Sequence, residues 1–329
     1  MARATITRKI SVSAVGSTTL AVAAAGLAAR RFVQFTNTWP GGSNATWKIT
    51  GANETILAYA NSGCWDPVRR KALFHGAGYV ASRLVQYDEA SNTWSYTDPN
   101  PPGNIIHIWD HAAIDVSRGH FYVSDQLGGS YYRYNIAAGT WSTLAGHAAY
   151  ETHGVTWFPE IDSLISVPRE SGNIFRFAAG GSSWSTWVSS TGYATNYHGF
   201  AEHDPIRGVV YFGGGSNNSR ALYKVTPAGV VTRLADAPAN ILDLGGSGSN
   251  ICCDPVSGRL IVRAKVSGSM YEYNPDTNAW SSVSTTGSSG LPLSSVAMCI
   301  PISTHGVILY VAAADTQGGG AVCALYRHT

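Results

Sequence analysis

The sequence predicts an all-β fold, a six-bladed β-propeller, and three recurring signals carry that prediction. A short phrase, an aromatic strand end followed by a polar turn and a tryptophan, occurs as YDEASNTWSYT (87–97), YNIAAGTWSTL (134–144), FAAGGSSWSTW (177–187) and YNPDTNAWSSV (273–283). Aligned on that tryptophan, Trp47, Trp94, Trp141, Trp184, then Val231 and Trp280 stand 47, 47, 43, 47 and 49 positions apart, the length of a four-stranded blade. An Asp/Pro turn keeps pace with them.

Within one repeat the elements follow in order. Strand a runs into a turn, as in WDPVRRKALFHG (65–76), IDVSRGHFYVSD (114–125), FPEIDSLISV (158–167), HDPIRGVVYFGGG (203–215), CDPVSGRLIVRA (253–264) and IPISTHGVILYVA (300–312). Asp, Pro and Gly supply the turn geometry, and the β-forming run behind it is strand b. Strand c carries an alternating aromatic pair, seen in LVQYD (84–88), YYRYN (131–135), IFRFA (174–178), LYKVT (222–226), MYEYN (270–274) and LYRHT (325–329), so its large side chains share one sheet face. Strand d holds the tryptophan. The sixth repeat has its strand c in LYRHT and no strand d behind it. ATWKIT (45–50), with a repeat-type tryptophan, is therefore expected to close the ring against 321–327, because an unpaired edge is a liability. The predicted organisation is a β leader or anchor at 1–44 and a propeller at 45–329.

Composition excludes several function classes. The chain has 329 residues, 44% hydrophobic and 13% charged, which supports a large core and argues against disorder. A net charge of +2 without a Lys/Arg cluster gives no footprint for nucleic acid, and no run of 18 or more strongly apolar residues predicts a membrane span. Five cysteines, Cys64, Cys252, Cys253, Cys299 and Cys323, lack CxxC spacing and read as small buried hydrophobes.

The tryptophan phrase and the glycines after strand b, as in Gly213, Gly214 and Gly215, resemble the kelch and galactose-oxidase-like propellers over 45–329, although blades two, three and five lack the glycine pair. That resemblance implies the propeller but not its work, since such folds host enzymes, glycan binders and scaffolds. In 1–44, KISVSAV alternates and RFVQFTN reads as another strand. The order of these pieces around GSTTLAVAA resembles short β modules in structural proteins of tailed bacteriophages. The alternative is a secretory signal, with Arg3, Arg8 and Lys9 before a small-residue stretch that Ser11, Ser13, Gly16, Ser17, Thr18 and Thr19 interrupt.

Binding residues collect on loops of a rigid scaffold, here expected on the face of the d–a and b–c loops. Just before strand a, Asn61, Asp110, His111, His153, His198, Asn250 and Ser295 align and are expected to ring the mouth of the central channel. No metal or cofactor is predicted outright. If a divalent metal binds, His111, His153 and His198 are its ligands, with Asp110 orienting an imidazole; otherwise the histidines hydrogen-bond loop backbone and plug the axis. The b–c loops add His75, Tyr79, Asp125, Arg169, Glu170 and Lys265, and Tyr150, Tyr193 and Tyr197 offer stacking platforms for sugars. No compact catalytic motif is present. The expected function is a non-enzymatic structural or binding propeller on a virion surface, a head-decoration, tail or fibre protein that contacts virion proteins or a host glycan. The alternative is a secreted or periplasmic propeller enzyme, lyase-like, working on acidic polysaccharide through the histidine funnel.

Overall fold

The computed structural model describes residues 19–37, 56–57, 59–77, 82–97, 99, 102, 105, 108–124, 129–147, 152–168, 171–193, 197–245, 248–286, 290–293, 297–313 and 321–329. They form six antiparallel four-stranded sheets. Five are simple meanders in chain order, spanning 64–96, 112–144, 152–188, 199–233 and 249–283. The sixth takes Ala297–Ile302, Val307–Ala312 and Val322–Arg327 from one end of the chain and Arg31–Gln34 from the other. The architecture is the six-bladed propeller that the repeats predict.

The closing strand differs from the expected one. ATWKIT lies outside the described residues, and the edge it was assigned to is occupied by Arg31–Gln34, in register Arg31↔Arg327, Phe32↔Tyr326, Val33↔Leu325 and Gln34↔Ala324. Alternation explains the choice. Phe32 turns to one face and packs 4.7 Å from the Tyr326 ring, while Val33 turns to the other and joins the cluster around Leu325 and Trp94. The segment before it is not a strand. Leu20–Ala25 is one and a half turns of helix, capped where Thr19 Oγ1 accepts the Val22 N–H, and Leu20, Ala23 and Ala24 bury against blade six. An alanine run favours helix more than sheet. KISVSAV lies outside the described residues.

The repeated tryptophan has a structural assignment. Within a blade it leans on the aromatic of strand c at 5.0–5.5 Å between ring centres, in the pairs Tyr87–Trp94, Tyr134–Trp141, Phe177–Trp184 and Tyr273–Trp280. Between blades the indole N–H of three of these tryptophans donates to a carbonyl just beyond strand d of the preceding blade. Trp141 reaches Pro99 at 3.1 Å, Trp184 reaches Ala145 at 2.7 Å and Trp280 reaches Ala235 at 2.9 Å. The phrase is a latch at the outer rim.

The Asp/Pro turns fasten the ring a second time. The buried carboxylates of Asp66, Asp115 and Asp204 accept backbone N–H groups of their own turn and the guanidinium three residues on, from Arg69, Arg118 and Arg207. Those arginines also touch the next blade. Arg118 forms a two-bond pair with Asp162, Arg207 donates to the Ser257 carbonyl at 3.0 Å, and Arg69 lies where a side chain at Gly119 would stand. Gly119 and Gly258 have φ of +66°, so glycine serves both the turn and the close approach.

Two measurements check this assembly. A chain lacking residues 1–37 should unfold at a clearly lower temperature, because the edge at Val322–Arg327 loses its partner; an unchanged midpoint would overturn the closure. Trp94 is fully buried whereas Trp141 is half-exposed. Trp94→Ala should therefore cost about 3–5 kcal/mol in denaturant unfolding, and Trp141→Ala only about 1–2 kcal/mol for one hydrogen bond and partial burial. Equal costs would contradict the latch.

A candidate functional site in the axial cavity

The inner edge of each blade faces the axis, where backbone groups need partners that no further strand supplies. Short parallel bridges link these edges, Ala60 to Trp109 and Ser62 to Cys299. Side chains complete the pairing. Asp110, before the inner strand Ala112–Asp115 of blade two, accepts the Ser62 hydroxyl of blade one at 2.5 Å and the Ala201 N–H of blade four at 2.7 Å. Its carbonyl takes the Val155 N–H of blade three at 2.9 Å, so one residue ties four blades. Asn250 does the same on the other side, donating to the Ala297 carbonyl at 3.0 Å and to Asn61 at 3.3 Å.

From Asp110 a cavity of about 610 Å³ runs along the inner strands towards the a–b turns, where Asp115, Ser117 and Asp162 stand at its mouth. Trp65, Trp157, Ala112, Ala113 and Val155 wall it, and Cys64 and Glu202 project a thiol and a carboxyl into the lining. Burial raises Asp110 to about 7 against the pull of its two hydrogen bonds. Glu202, on the inner strand Gly199–Asp204, is pushed well above the carboxylate range by burial and then by the charge of Asp110, although the Cys253 N–H donates to it. Both acids are thus shifted towards their protonated form. Burial likewise pushes the Cys64 thiol up, which leaves it a poor nucleophile.

The cavity opens on the face opposite to the one the sequence favoured. Among the described candidates only Asp110 lines it. Asn250 and Asn61 are buried at the axis and bonded to each other across blades, and His111 is buried. His75 sits inside strand Lys71–Ala77, fully buried, and burial alone drives its imidazole down to about 3. Tyr193 donates its buried hydroxyl to the carbonyls of Gly213 and Gly214 at 3.1 and 3.3 Å, a packing role. His198 is partly exposed on the loop face, its Nδ1 3.1 Å from Asp243 and its ring 5.0 Å from Trp109, and Tyr197 is exposed beside it. Lys265 is buried over Trp109, lowered to about 8 by burial. Tyr79, Asp125, Tyr150, Arg169, Glu170 and Ser295 lie outside the described residues, as does the His153 side chain. No group of three or more His, Cys, Asp or Glu among the described residues is arranged to hold a metal. Nor is any described helix long and apolar enough to cross a membrane.

Sequence reasoning missed Glu202, and a signal for it exists. Two positions before the turn aspartates the inner strands read Cys64, Ala113, Glu202 and Cys252, so Glu202 is the one acid in that axial layer.

No family model matches the chain, and no curated protein matches it. Solved structures do. A structural genomics protein of unknown function from Bacteroides thetaiotaomicron is similar with a TM-score of 0.53 and 13% identity, over 81% of this chain and 70% of that one. A chain of a nidogen/laminin complex is similar with a TM-score of 0.50 and 10% identity, over 67% of this chain and 77% of that one. At such identities the likeness extends to the fold alone.

Asp110 makes the axis pH-sensitive with a definite sign. Its folded carboxyl keeps a proton up to about pH 7, whereas the unfolded group releases it near 3.8. Its contribution is therefore full below about pH 4 and lost as pH rises through 7. Wild type should lose more stability between pH 4 and 8 than Asp110→Asn does, as read by denaturant unfolding; depressed histidines such as His75 act with opposite sign in both proteins and cancel. Asp110→Ala should cost about 1–3 kcal/mol at any pH, because the Ala201 N–H and Ser62 hydroxyl lose their acceptor.

Proposed function

We propose that the protein is a non-catalytic binding propeller that receives its ligand in the axial cavity. The cavity itself carries this reading: about 610 Å³ is the size of a small-ligand site, and it is walled by tryptophans at the centre of a rigid ring. The groups that line its inner end support binding over turnover, since both oxygens of Asp110 hold neighbouring blades in place. The likeness of residues 1–44 to phage structural modules supports a place on a virion surface, as a head-decoration, tail or fibre component whose partners are virion proteins or a host-cell glycan. The tryptophan phrase and Gly213–Gly215 support a kelch-like lineage. A secreted lyase-like enzyme is less well supported, because its described members, His111, Tyr193 and His198, are divided between a buried position, the packing of blade four and an Asp243 pair.

A glycan array followed by product analysis tests the reading. The purified protein should retain one class of glycan and leave its chain length unchanged. Shortened or unsaturated products would overturn it. Peptides of this chain should also be found in purified virions of its source, and their absence would overturn the virion assignment alone.

A further inference from the structure

The axial cavity is lined by acids without a lysine or arginine among the described residues. Asp115, Asp162, Asp110 and Glu202 contribute to its wall. The two at the mouth are answered, because Arg118 pairs with both Asp115 and Asp162 at 2.7 Å. His203 is held by Glu160 at 3.0 Å. The inner pair has only neutral donors, the Ser62 hydroxyl and Ala201 N–H on Asp110 and the Cys253 N–H on Glu202. The ionisable groups that act on the pair are one another and the thiols of Cys64 and Cys299, none of which is a cation. A carboxyl pair in a cavity without a counter-charge keeps a proton instead. The walls suit a cation as well: Trp65 and Trp157 each already carry an arginine near one ring, Arg70 at 5.8 Å and Arg118 at 5.9 Å.

We propose that the axial cavity binds a ligand with an ammonium head and a body of about one ring, the head against Asp110 and Glu202 and the body along Trp65 and Trp157. The inference rests on the reading of the cavity as a ligand site and names the charge of what it takes. The ammonium replaces the proton, which leaves to solvent, and the ion pair forms away from water, where it is stronger than at a surface. A neutral ligand leaves the pair protonated, and an anion meets like charge.

Benzylammonium and benzyl alcohol are a near-isosteric pair that separates charge from shape. Their binding can be followed by tryptophan fluorescence and by calorimetry in two buffers of different ionisation heat. Glucosamine and glucose repeat the comparison on a sugar-sized body. Benzylammonium should bind at least about ten-fold tighter than the alcohol, a difference of 1.4 kcal/mol. It should release protons on binding and tighten from about pH 6 to about pH 8, as the pair gives up its proton. Glu202→Gln should weaken it about ten-fold, and Ser117→Arg, at an exposed position on the mouth, should weaken it several-fold. Equal affinity for amine and alcohol would overturn the ammonium inference while leaving the cavity as a ligand site. Benzylammonium binding that neither variant changes would overturn it too. No binding of either probe, beside retention of a glycan on the array, would overturn it and move recognition to another face.

Discussion

Six sheet edges meet on one axis, and none can extend its sheet there. Every other feature of the ring answers to that constraint. A strand edge presents alternating N–H and carbonyl groups that are costly to bury unpaired. Here they are satisfied partly by parallel bridges between adjacent blades and partly by Asp110, Asn61 and Asn250. Where these residues fill the axis the channel is blocked. Beyond them, towards the turns, smaller side chains such as Ala112, Ala113 and Ala201 leave the cavity open. Lock and pocket are consecutive layers of the same strands.

The outer rim is held by repetition. Each tryptophan latch needs an aromatic on strand c, a polar turn and a free carbonyl on the blade before, and the four phrases supply the first two from one stretch of about ten residues. Blade four shows what the latch replaces. Val231 stands there instead of tryptophan, and on the same sheet Arg233 lies 4.9 Å over the Tyr223 ring and bonds its hydroxyl at 2.9 Å. The Tyr223 hydroxyl in turn donates to the Gly192 carbonyl, beyond strand d of blade three, at 3.3 Å. The buried Asp–Arg turns then carry the fastening from blade two to three and from four to five.

What the sequence made legible follows from range. The blade count and the order of strands lie within one repeat, and Trp94, Trp141, Trp184 and Trp280 reveal them by spacing. The closing strand depends on which distant segment fits between Tyr326 and Leu325. Trp47 drew attention to the wrong one because the rim tryptophan marks a latch, whereas pairing is decided by alternation, which Phe32 and Val33 have. Asp110 was legible as an axial residue, but its bond to Ala201 spans 91 positions. The pairing of Asp110 with Glu202 is a meeting of blades two and four, and no local pattern in AEHDP announces it. Equal places in the repeat do not give equal exposure: His111 is buried and His198 is partly open.

The seam of the ring falls inside blade six, between Arg31–Gln34 and Val322–Arg327, and not between two blades. An in-frame tandem duplication of one repeat would therefore leave the fastening intact and simply enlarge the circle. Closure places no ceiling on copy number. The axis does: with seven blades the inner edges would move apart, and Asp110 could no longer hold Ser62 and Ala201 with the two oxygens of one carboxyl group. In this chain six blades leave the axis narrow enough for one short side chain to span it.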